Sequence, residues 1–339
     1  MASEAPPFWW KKPDWRAYTL SPFSALYGVV AGRRMVTAKR ERFDLPVLCV
    51  GNFTVGGSGK TPVAIALADE AKRMGLSPGF LSRGHGGSFG QPHIVDTHHD
   101  TAKYVGDEPL LLAEHAPVAV TPSRAAGAKL LVEQGCDFLI MDDGFQSAHI
   151  HIDYALLVVD ARYGVGNGHV IPGGPLRAPL VSQLRFADAV LKMGEGTAAD
   201  AIVRKASRAG KAVYEAAARP RNELAFAGRR FLAFAGIGHP EKFYDTLRRA
   251  GGMVDMTRSF GDHHVYEEDE FNELLAAARA GGLELVTTAK DAVRLRHGAP
   301  QAFLDRMGVL EIDAVFELNH APRLIIQETL EIWRRRRAS

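Results

Sequence analysis

An octapeptide between two apolar segments, Thr54-Val-Gly-Gly-Ser-Gly-Lys-Thr61, decides which folds are open to this chain. The apolar run 45–51 before it is typical of a buried strand, and the segment 62–71 after it is typical of a helix. Strand, glycine-rich turn and helix in this order are the setting of a phosphate-binding loop, where backbone N–H groups face phosphate oxygens. Lys60 is then expected to reach the β- and γ-phosphates, and the Thr61 hydroxyl to bind Mg²⁺. The sequence therefore predicts a site for a nucleoside triphosphate.

The octapeptide departs from the usual loop pattern at its first position, where Thr54 stands in place of glycine. An ordinary glycine-rich turn ahead of a helix is the alternative interpretation. We favour the nucleotide site because Gly-Lys-Thr stands at the start of a predicted helix, directly after an apolar strand. The residues assigned to nucleotide binding are Thr54, Val55, Gly56, Gly57, Ser58, Gly59, Lys60 and Thr61.

The composition is that of a two-domain globular protein. A chain of 339 residues, 46% of them hydrophobic, can form two sizeable cores. Its net charge of +2 argues against a general nucleic-acid-binding surface. The two cysteines, Cys49 and Cys136, have no metal-ligand spacing, which fits a reduced, cytosolic compartment. No apolar run approaches the ~20 residues of a membrane-spanning helix, and the N-terminus lacks the order of a signal peptide.

Basic and aromatic side chains are concentrated in residues 1–42. Eight basic and three acidic residues give this segment a net charge of +5, which leaves −3 for the remainder of the chain. Tryptophan favours the level of lipid headgroups, and Lys and Arg favour anionic lipid surfaces. We therefore predict an amphipathic helix lying in the membrane interface, with packing of its apolar stripe on the protein's own domain as the alternative. The residues behind this prediction are Trp9, Trp10 and Trp15, and the helical stripe Phe23, Leu26, Tyr27 and Val30.

A second chemical signal is the pair Asp142-Asp143, which ends the apolar run 138–141. Ligands of open α/β sheets bind at the carboxyl edge of the strands, and an acidic residue there holds Mg²⁺ opposite the phosphate loop. Capping of a turn before Gly144 is the alternative. With a phosphate loop upstream we favour Mg²⁺, whose predicted ligands are then Thr61, Asp142 and Asp143.

Strands alternate with helices from residue 43 to 222, which predicts an α/β fold with a doubly wound parallel sheet of the P-loop NTPase type. A change in composition near residues 220–223 marks the expected domain boundary. Beyond it, predicted strands at 283–288 and 309–314 and a final helix at 322–337 indicate a second, smaller α/β domain, 223–339, that includes the C-terminal helix.

With these features in place, the chain resembles the tetraacyldisaccharide 4'-kinase family of lipid A biosynthesis nearly from end to end. The octapeptide with its flanks, residues 50–62, is followed in order by Ser82-Arg-Gly84, Gly106-Asp-Glu-Pro109, Asp142-Asp-Gly-Phe-Gln146, Asn167-Gly168, Gly174-Pro-Leu-Arg177, Asp262-His-His264 and Thr288-Ala-Lys-Asp291. The positions that depart from the family pattern are His85, Ser147, Gly173 and Ala178, where Tyr, His, Ala and Glu are usual.

The resemblance implies an ATP-dependent kinase that phosphorylates the 4'-hydroxyl of a tetraacylated glucosamine disaccharide 1-phosphate. ATP and Mg²⁺ would bind in a cleft between two α/β/α domains joined by a short β linker. The enzyme would lie on the cytoplasmic face of the inner membrane as a peripheral protein, with a lipid substrate and no nucleic-acid partner. Asp107 would be the catalytic base with His263 beside it, and Lys60 would serve the transferred phosphate. Candidate substrate contacts are Arg83, Asn167 and Arg177 from these motifs, and Arg124 at the start of a predicted helix.

Two other classes of protein share such a loop. A nucleotide-switched membrane ATPase would usually carry a second lysine where this chain has Val55. An ATP-dependent ligase of similar fold is not excluded by the loop, but it leaves the aromatic and basic N-terminal segment unexplained. A lipid substrate explains that segment, and we therefore favour the kinase.

Overall fold

The structure is a computed structural model that describes residues 5–84, 86–146 and 149–338. His85 and Ser147, two of the positions that depart from the family pattern, lie outside the described residues, as do the first four residues of the predicted membrane segment.

Most strands belong to one large sheet. The strands are β1 (Val47–Asn52), β2 (Pro78–Ser82), β3 (His93–Ile94), β4 (Val118–Val120), β5 (Phe138–Asp142), β6 (Tyr154–Asp160), β7 (Ala189–Met193), β8 (Ala212–Pro220), β9 (Arg230–Ala235), β10 (Met253–Ser259), β11 (Glu284–Thr288), β12 (Met307–Leu310) and β13 (Ile312–Phe316). The nine-stranded sheet has the order β13-β8-β7-β6-β1-β5-β2-β4-β3. It is parallel except at its two edges, where β13 and β3 run antiparallel to their neighbours. The predicted α/β class with a mostly parallel sheet is confirmed.

Helices cover both faces of this sheet. The helices are α1 (Trp15–Thr19), α2 (Ser21–Thr37), α3 (Lys60–Arg73), α4 (Ala102–Val105), α5 (Asp107–Ala113), α6 (Arg124–Glu133), α7 (Leu180–Phe186), α8 (Asp200–Arg208), α9 (Pro240–Arg249), α10 (Glu268–Gly281), α11 (Ala289–Leu295), α12 (Gln301–Leu304) and α13 (Ala321–Ala338). Alternate residues of β1 point to opposite faces. Leu48 and Val50 join the core under α3, whereas Cys49 joins the core on the other face with Met35 of α2. Burial on both faces explains why β1 reads as a continuous apolar run.

A second sheet of four parallel strands, β10-β9-β11-β12, forms the smaller unit of the molecule. The run predicted as one strand at 309–314 is two strands in different sheets. β12 ends at Leu310 and pairs with β11, and β13 begins at Ile312 and pairs antiparallel with β8. Leu310 packs in the core of the smaller unit, whereas Ala314 and Phe316 pack in the core of the large sheet.

The chain therefore leaves the large sheet through β8 and returns to it through β13. The expected division at 222/223 puts the C-terminal helix in the smaller domain, and the structure departs from it. α13 packs against α3, β1 and β6 of the large sheet, with Ile325 and Ile326 fully buried. The smaller unit is an insertion between β8 and β13, because these two strands pair with each other in the large sheet.

The N-terminal segment has a buried part and an exposed part. Trp9 is buried and donates its Nε1–H to the Pro172 carbonyl at 3.0 Å, so it packs on the protein rather than on lipid. The stripe on α2 is exposed instead, since Leu26 and Val30 have 68% and 60% of their surface accessible. Among the described residues, the structure contains no helix of the length and apolar character needed to cross a membrane.

The position of α13 can be tested with two neighbouring residues. We expect Ile325→Ala to lower the free energy of unfolding by about 2–5 kcal/mol, because it opens a cavity in the large core. Leu324→Ala is the matched control, since Leu324 is 39% exposed and Ile325 is 0% exposed. Urea denaturation measures both changes. Equal effects of the two substitutions would contradict the packing of α13 on the large sheet.

Candidate active site

The phosphate loop stands at the carboxyl end of β1, near the middle of the large sheet. Its backbone turns through Gly56 (φ 101°) and Gly59 (φ 83°), which is the residue before α3. A left-handed φ is open to glycine at little cost. Contacts from outside hold the loop: the Val55 N–H donates to the Pro175 carbonyl at 2.9 Å, and Asn52 Nδ2 donates to the Gly56 carbonyl at 3.2 Å. The N–H groups at the start of α3 therefore open toward the carboxyl edge of the sheet.

Asp143 ties this loop to β5. Its carboxylate accepts hydrogen bonds from both Arg177 Nη atoms, at 2.7 and 3.0 Å, and lies 3.4 Å from Lys60 Nζ. Arg177 Nε donates to the Thr54 carbonyl at 3.0 Å. Burial alone would raise the pKa of Asp143, but Lys60 and Arg177 outweigh it and lower that pKa to about 2. Asp143 is thus an ionised bridge between the loop lysine and Arg177.

Asp142 is in a different position. Its side chain is buried, and within the described residues its Oδ1 has no hydrogen-bond partner. Burial and the neighbouring Glu108 carboxylate raise the pKa of Asp142 to about 7. An unpartnered, buried carboxylate oxygen is costly unless a cation or donor meets it.

The residues present fit a magnesium ion at this edge. In the part of the chain that the structure describes, no three His, Cys, Asp or Glu side chains converge as an all-protein metal site. Mg²⁺ usually takes one or two carboxylates and completes its shell with phosphate oxygens and water. The unpartnered Oδ1 of Asp142 suits that kind of site better than the carboxylate of Asp143, which is occupied by Arg177.

Asp107 and His263, which come from separate motifs, are in contact where the two units meet. Asp107 is buried at the start of α5, and its Oδ2 is 3.2 Å from His263 Nδ1. His263 has a left-handed backbone (φ 58°), which a non-glycine residue seldom adopts. Burial would raise the pKa of Asp107, but the His263 hydrogen bond, Lys290 and Arg294 hold it well below its usual range. The hydrogen bond to Asp107 in turn raises the pKa of His263.

Lys290 and Arg294 of α11 pair with the acidic residues at the start of α5. Neither cation belongs to the sequence-predicted site. Arg294 donates to Asp107, with Nε 3.0 Å from Oδ2, and Lys290 donates to Glu108. Lys290 is the largest of the influences that lower the pKa of Glu108, and Lys60 adds to it. Lys60 from the loop and Lys290 from the smaller unit therefore act on the same carboxylates. The one signal for these cations in the sequence is the motif at 288–291, which contains Lys290 and lies next to Arg294.

The four candidate substrate contacts have different surroundings. Arg83 is exposed after β2. Arg124 is only 3% exposed and donates to the Leu81 carbonyl at 3.4 Å, so it is buried against β2. Asn167 is buried and its amide holds the glycine-rich loop together, donating to the Gly173 carbonyl at 2.8 Å. Arg177 is engaged with Asp143. Of the four, Arg83 alone is an exposed cation.

Comparison with known proteins gives a consistent result. Residues 16–330 match a family model described as tetraacyldisaccharide-1-P 4'-kinase, LpxK. The chain is 71% identical to the tetraacyldisaccharide 4'-kinase of Mesorhizobium japonicum and 54% identical to that of Brucella canis, over 99% of each chain in both cases. It is also similar to a crystal structure of LpxK from Aquifex aeolicus, described as an "apo" form in complex with ATP. That likeness has a TM-score of 0.72 at 26% identity and covers 92% of this chain and 99% of that one.

Glycine substitutions test the shape of the loop. We expect Gly59→Ala to destabilise the protein by about 1–2 kcal/mol, because alanine resists a positive φ. A Cβ there would also approach Met193 Cγ at 3.1 Å. Gly57→Ala is the control, since no atom lies within 4 Å of its added Cβ and its φ is not positive. Thermal unfolding without nucleotide compares the two variants, and an equal loss in both would contradict the loop geometry.

Proposed function

This chain belongs to the tetraacyldisaccharide 4'-kinase family of lipid A biosynthesis, and from that membership we propose its reaction and the residues that perform it. The reaction transfers the γ-phosphoryl group of ATP to the 4'-hydroxyl of a tetraacylated glucosamine disaccharide 1-phosphate. One observation supports the proposal above the others: Asp107 and His263, which come from separate units, are in contact. Lys60 and Asp107 both influence the pKa of Glu108, which stands next to Asp107 in the chain.

The loop residues 54–61 bind the phosphates of ATP through their N–H groups and through Lys60. Asp143 and Arg177 keep the Lys60 ammonium at the loop mouth, since Asp143 contacts both cations. Thr61 and Asp142 would hold Mg²⁺, which when bound neutralises charge on the phosphate oxygens. In this arrangement Asp143 orients the lysine, and Asp142 would be the carboxylate that holds the metal. Positioning and charge neutralisation of this kind account for most of phosphoryl-transfer catalysis.

Asp107 accepts the proton of the acceptor hydroxyl. Its lowered pKa makes it a weak base, which suits a loose transition state in which the hydroxyl proton is released late. The raised pKa of His263 favours the imidazolium form, so His263 donates its Nδ1–H to Asp107 and holds the carboxylate in place. His263 therefore orients the base rather than relaying its proton.

The N-terminal segment brings the enzyme to its substrate at the cytoplasmic face of the inner membrane. The exposed apolar stripe of α2, which includes Leu26, Tyr27 and Val30, is suited to the acyl boundary. Trp15 and Tyr18 on α1 are exposed beside it, and basic residues such as Arg33 and Arg34 follow along α2. Anionic headgroups attract such residues. Trp9 and Trp10, in contrast, pack on the protein and anchor the segment to the kinase unit.

The decisive experiment is incubation of the protein with γ-labelled ATP and the disaccharide lipid in detergent micelles. We expect a labelled lipid with the wild type and a loss of several orders of magnitude in rate with Lys60→Ala, because its charge is needed at the γ-phosphate. Lys129→Ala, on α6, is the control. Release of inorganic phosphate without labelled lipid would favour a switch ATPase, and a ligation product would favour a ligase.

Asp107 and His263 should act as one unit. We expect Asp107→Ala and His263→Ala each to lower kcat strongly and the double variant to lose little more, because each removes the same oriented base. The Km for ATP should change little, since neither residue belongs to the phosphate loop. Steady-state kinetics of the four proteins measures the coupling. Multiplicative losses would contradict a joint role.

The membrane surface can be tested by charge insertion. Val30→Glu should reduce co-sedimentation with vesicles that contain anionic lipid, because it places a carboxylate on the apolar stripe of α2. Leu224→Glu is the matched control, since Leu224 is 88% exposed on the short 3₁₀ helix Glu223–Ala225 and does not belong to α2. Both sites are exposed, so the free energy of unfolding should change little. Equal binding of the two variants would refute the role of α2.

A further inference from the structure

Resting on the kinase reaction proposed above, we infer that Arg294 is a positioning residue. It fixes Oδ2 of Asp107 so that Oδ1 is the oxygen that receives the proton of the acceptor hydroxyl. The two carboxylate oxygens of Asp107 then have different functions. The smaller unit, which contains Arg294, takes part in orienting the base.

The two oxygens of Asp107 have unequal surroundings. Oδ2 accepts from Arg294 through both Nε, at 3.0 Å, and Nη2, and it lies 3.2 Å from His263 Nδ1. Oδ1 accepts from the backbone N–H of Glu108 at 2.9 Å, its one hydrogen bond within the described residues. A carboxylate oxygen accepts about two hydrogen bonds comfortably. Oδ2 is therefore fully used, and Oδ1 has room for one more donor.

Arg294 is itself held rigidly in the smaller unit. Its Nη1 donates to Asp291 Oδ1 at 2.8 Å and to the Gly236 carbonyl at 2.6 Å. Asp291 is completely buried, and Tyr266 donates its hydroxyl to Oδ1 at 2.9 Å. The His263 N–H also donates to the Gly236 carbonyl, at 3.2 Å. Both groups that hold Oδ2 thus start from one hydrogen-bonded cluster around Gly236 and approach the carboxylate together.

The proton transfer follows from this geometry. The sugar oxygen bonds to the γ-phosphorus, its proton moves to Asp107 Oδ1, and ADP leaves with the electron pair of the broken P–O bond. The charged groups around Asp107 are His263 from the loop after β10, Lys290 and Arg294 from α11, and Glu108 on α5 itself. Without Arg294 the carboxylate can rotate, so the reactive oxygen is no longer defined. A guanidinium that donates two N–H groups to Oδ2 restricts that rotation, whereas an ammonium does not.

The test compares Arg294→Ala and Arg294→Lys with Arg296→Ala. Arg296 also crosses between the units, where it pairs with Glu114, but it does not contact Asp107 in the described structure. We expect kcat to fall about 100-fold in Arg294→Ala, the scale of general-base catalysis, with little change in the Km for ATP. Arg294→Lys should also be impaired, and Arg296→Ala should resemble the wild type. Added guanidinium ion should partly restore Arg294→Ala, whereas equal sodium chloride should not.

A wild-type kcat in both Arg294 variants would overturn the inference. It would also be overturned if Arg294→Ala unfolds at the normal temperature but guanidinium does not restore its activity. If Arg294→Ala does not fold, Arg294→Lys carries the test. An independent readout is the pKa of His263 by NMR, which should rise in Arg294→Ala, because the positive charge of Arg294 lowers that pKa. If the wild type yields no labelled lipid, the kinase proposal fails, whereas an unchanged His263 pKa refutes the Arg294 contact itself.

Discussion

The ion pair between Asp143 and Arg177 holds together parts of the chain that are far apart in sequence. Through it, the end of β5 is joined to the phosphate loop, because Arg177 also donates to the Thr54 carbonyl. The glycine-rich loop that ends at Arg177 is fastened in turn to the N-terminal segment, where the Asn167 N–H donates to the Trp9 carbonyl at 2.7 Å. A continuous set of hydrogen bonds therefore connects the segment proposed to meet the membrane with the lysine proposed to meet the phosphate. The start of the N-terminal segment and the nucleotide loop are thus held by the same glycine-rich loop.

Local sequence determined the features that could be predicted. The loop 54–61 could be recognised because strand, glycines and helix are adjacent in the chain, and the structure places two of its three glycines, Gly56 and Gly59, at positive φ. Asp142 could be recognised as a candidate because it directly follows an apolar run, which is typical of a buried parallel strand. The pattern did not separate Asp142 from Asp143. That difference depends on Arg177, which lies on a loop 34 residues further on.

The features that could not be predicted depend on contacts between segments that are distant in the sequence. Arg294 and Asp107 are separated by 187 residues in the chain, so no local sequence pattern predicts their contact. Asn167 stands in a family motif, yet its amide is used inside the loop, and Arg124 is buried by the sheet edge. Tryptophan is a residue type typical of the membrane interface, but Trp9 donates its indole N–H to the Pro172 carbonyl of the protein itself. The run 309–314 has strand character throughout. Only the pairing of β13 with β8 shows that it divides at Glu311.

The out-and-back path through β8 and β13 has a consequence for synthesis on the ribosome. Residues 230–310 form the smaller sheet and emerge as a complete set of strands, so this unit can fold while translation continues. The large sheet begins to emerge earlier but lacks its edge strand β13 and the cover of α13 until residues 312–338 are released. Apolar residues under α3 therefore stay uncovered for most of synthesis, and the part of the chain that starts first is completed last.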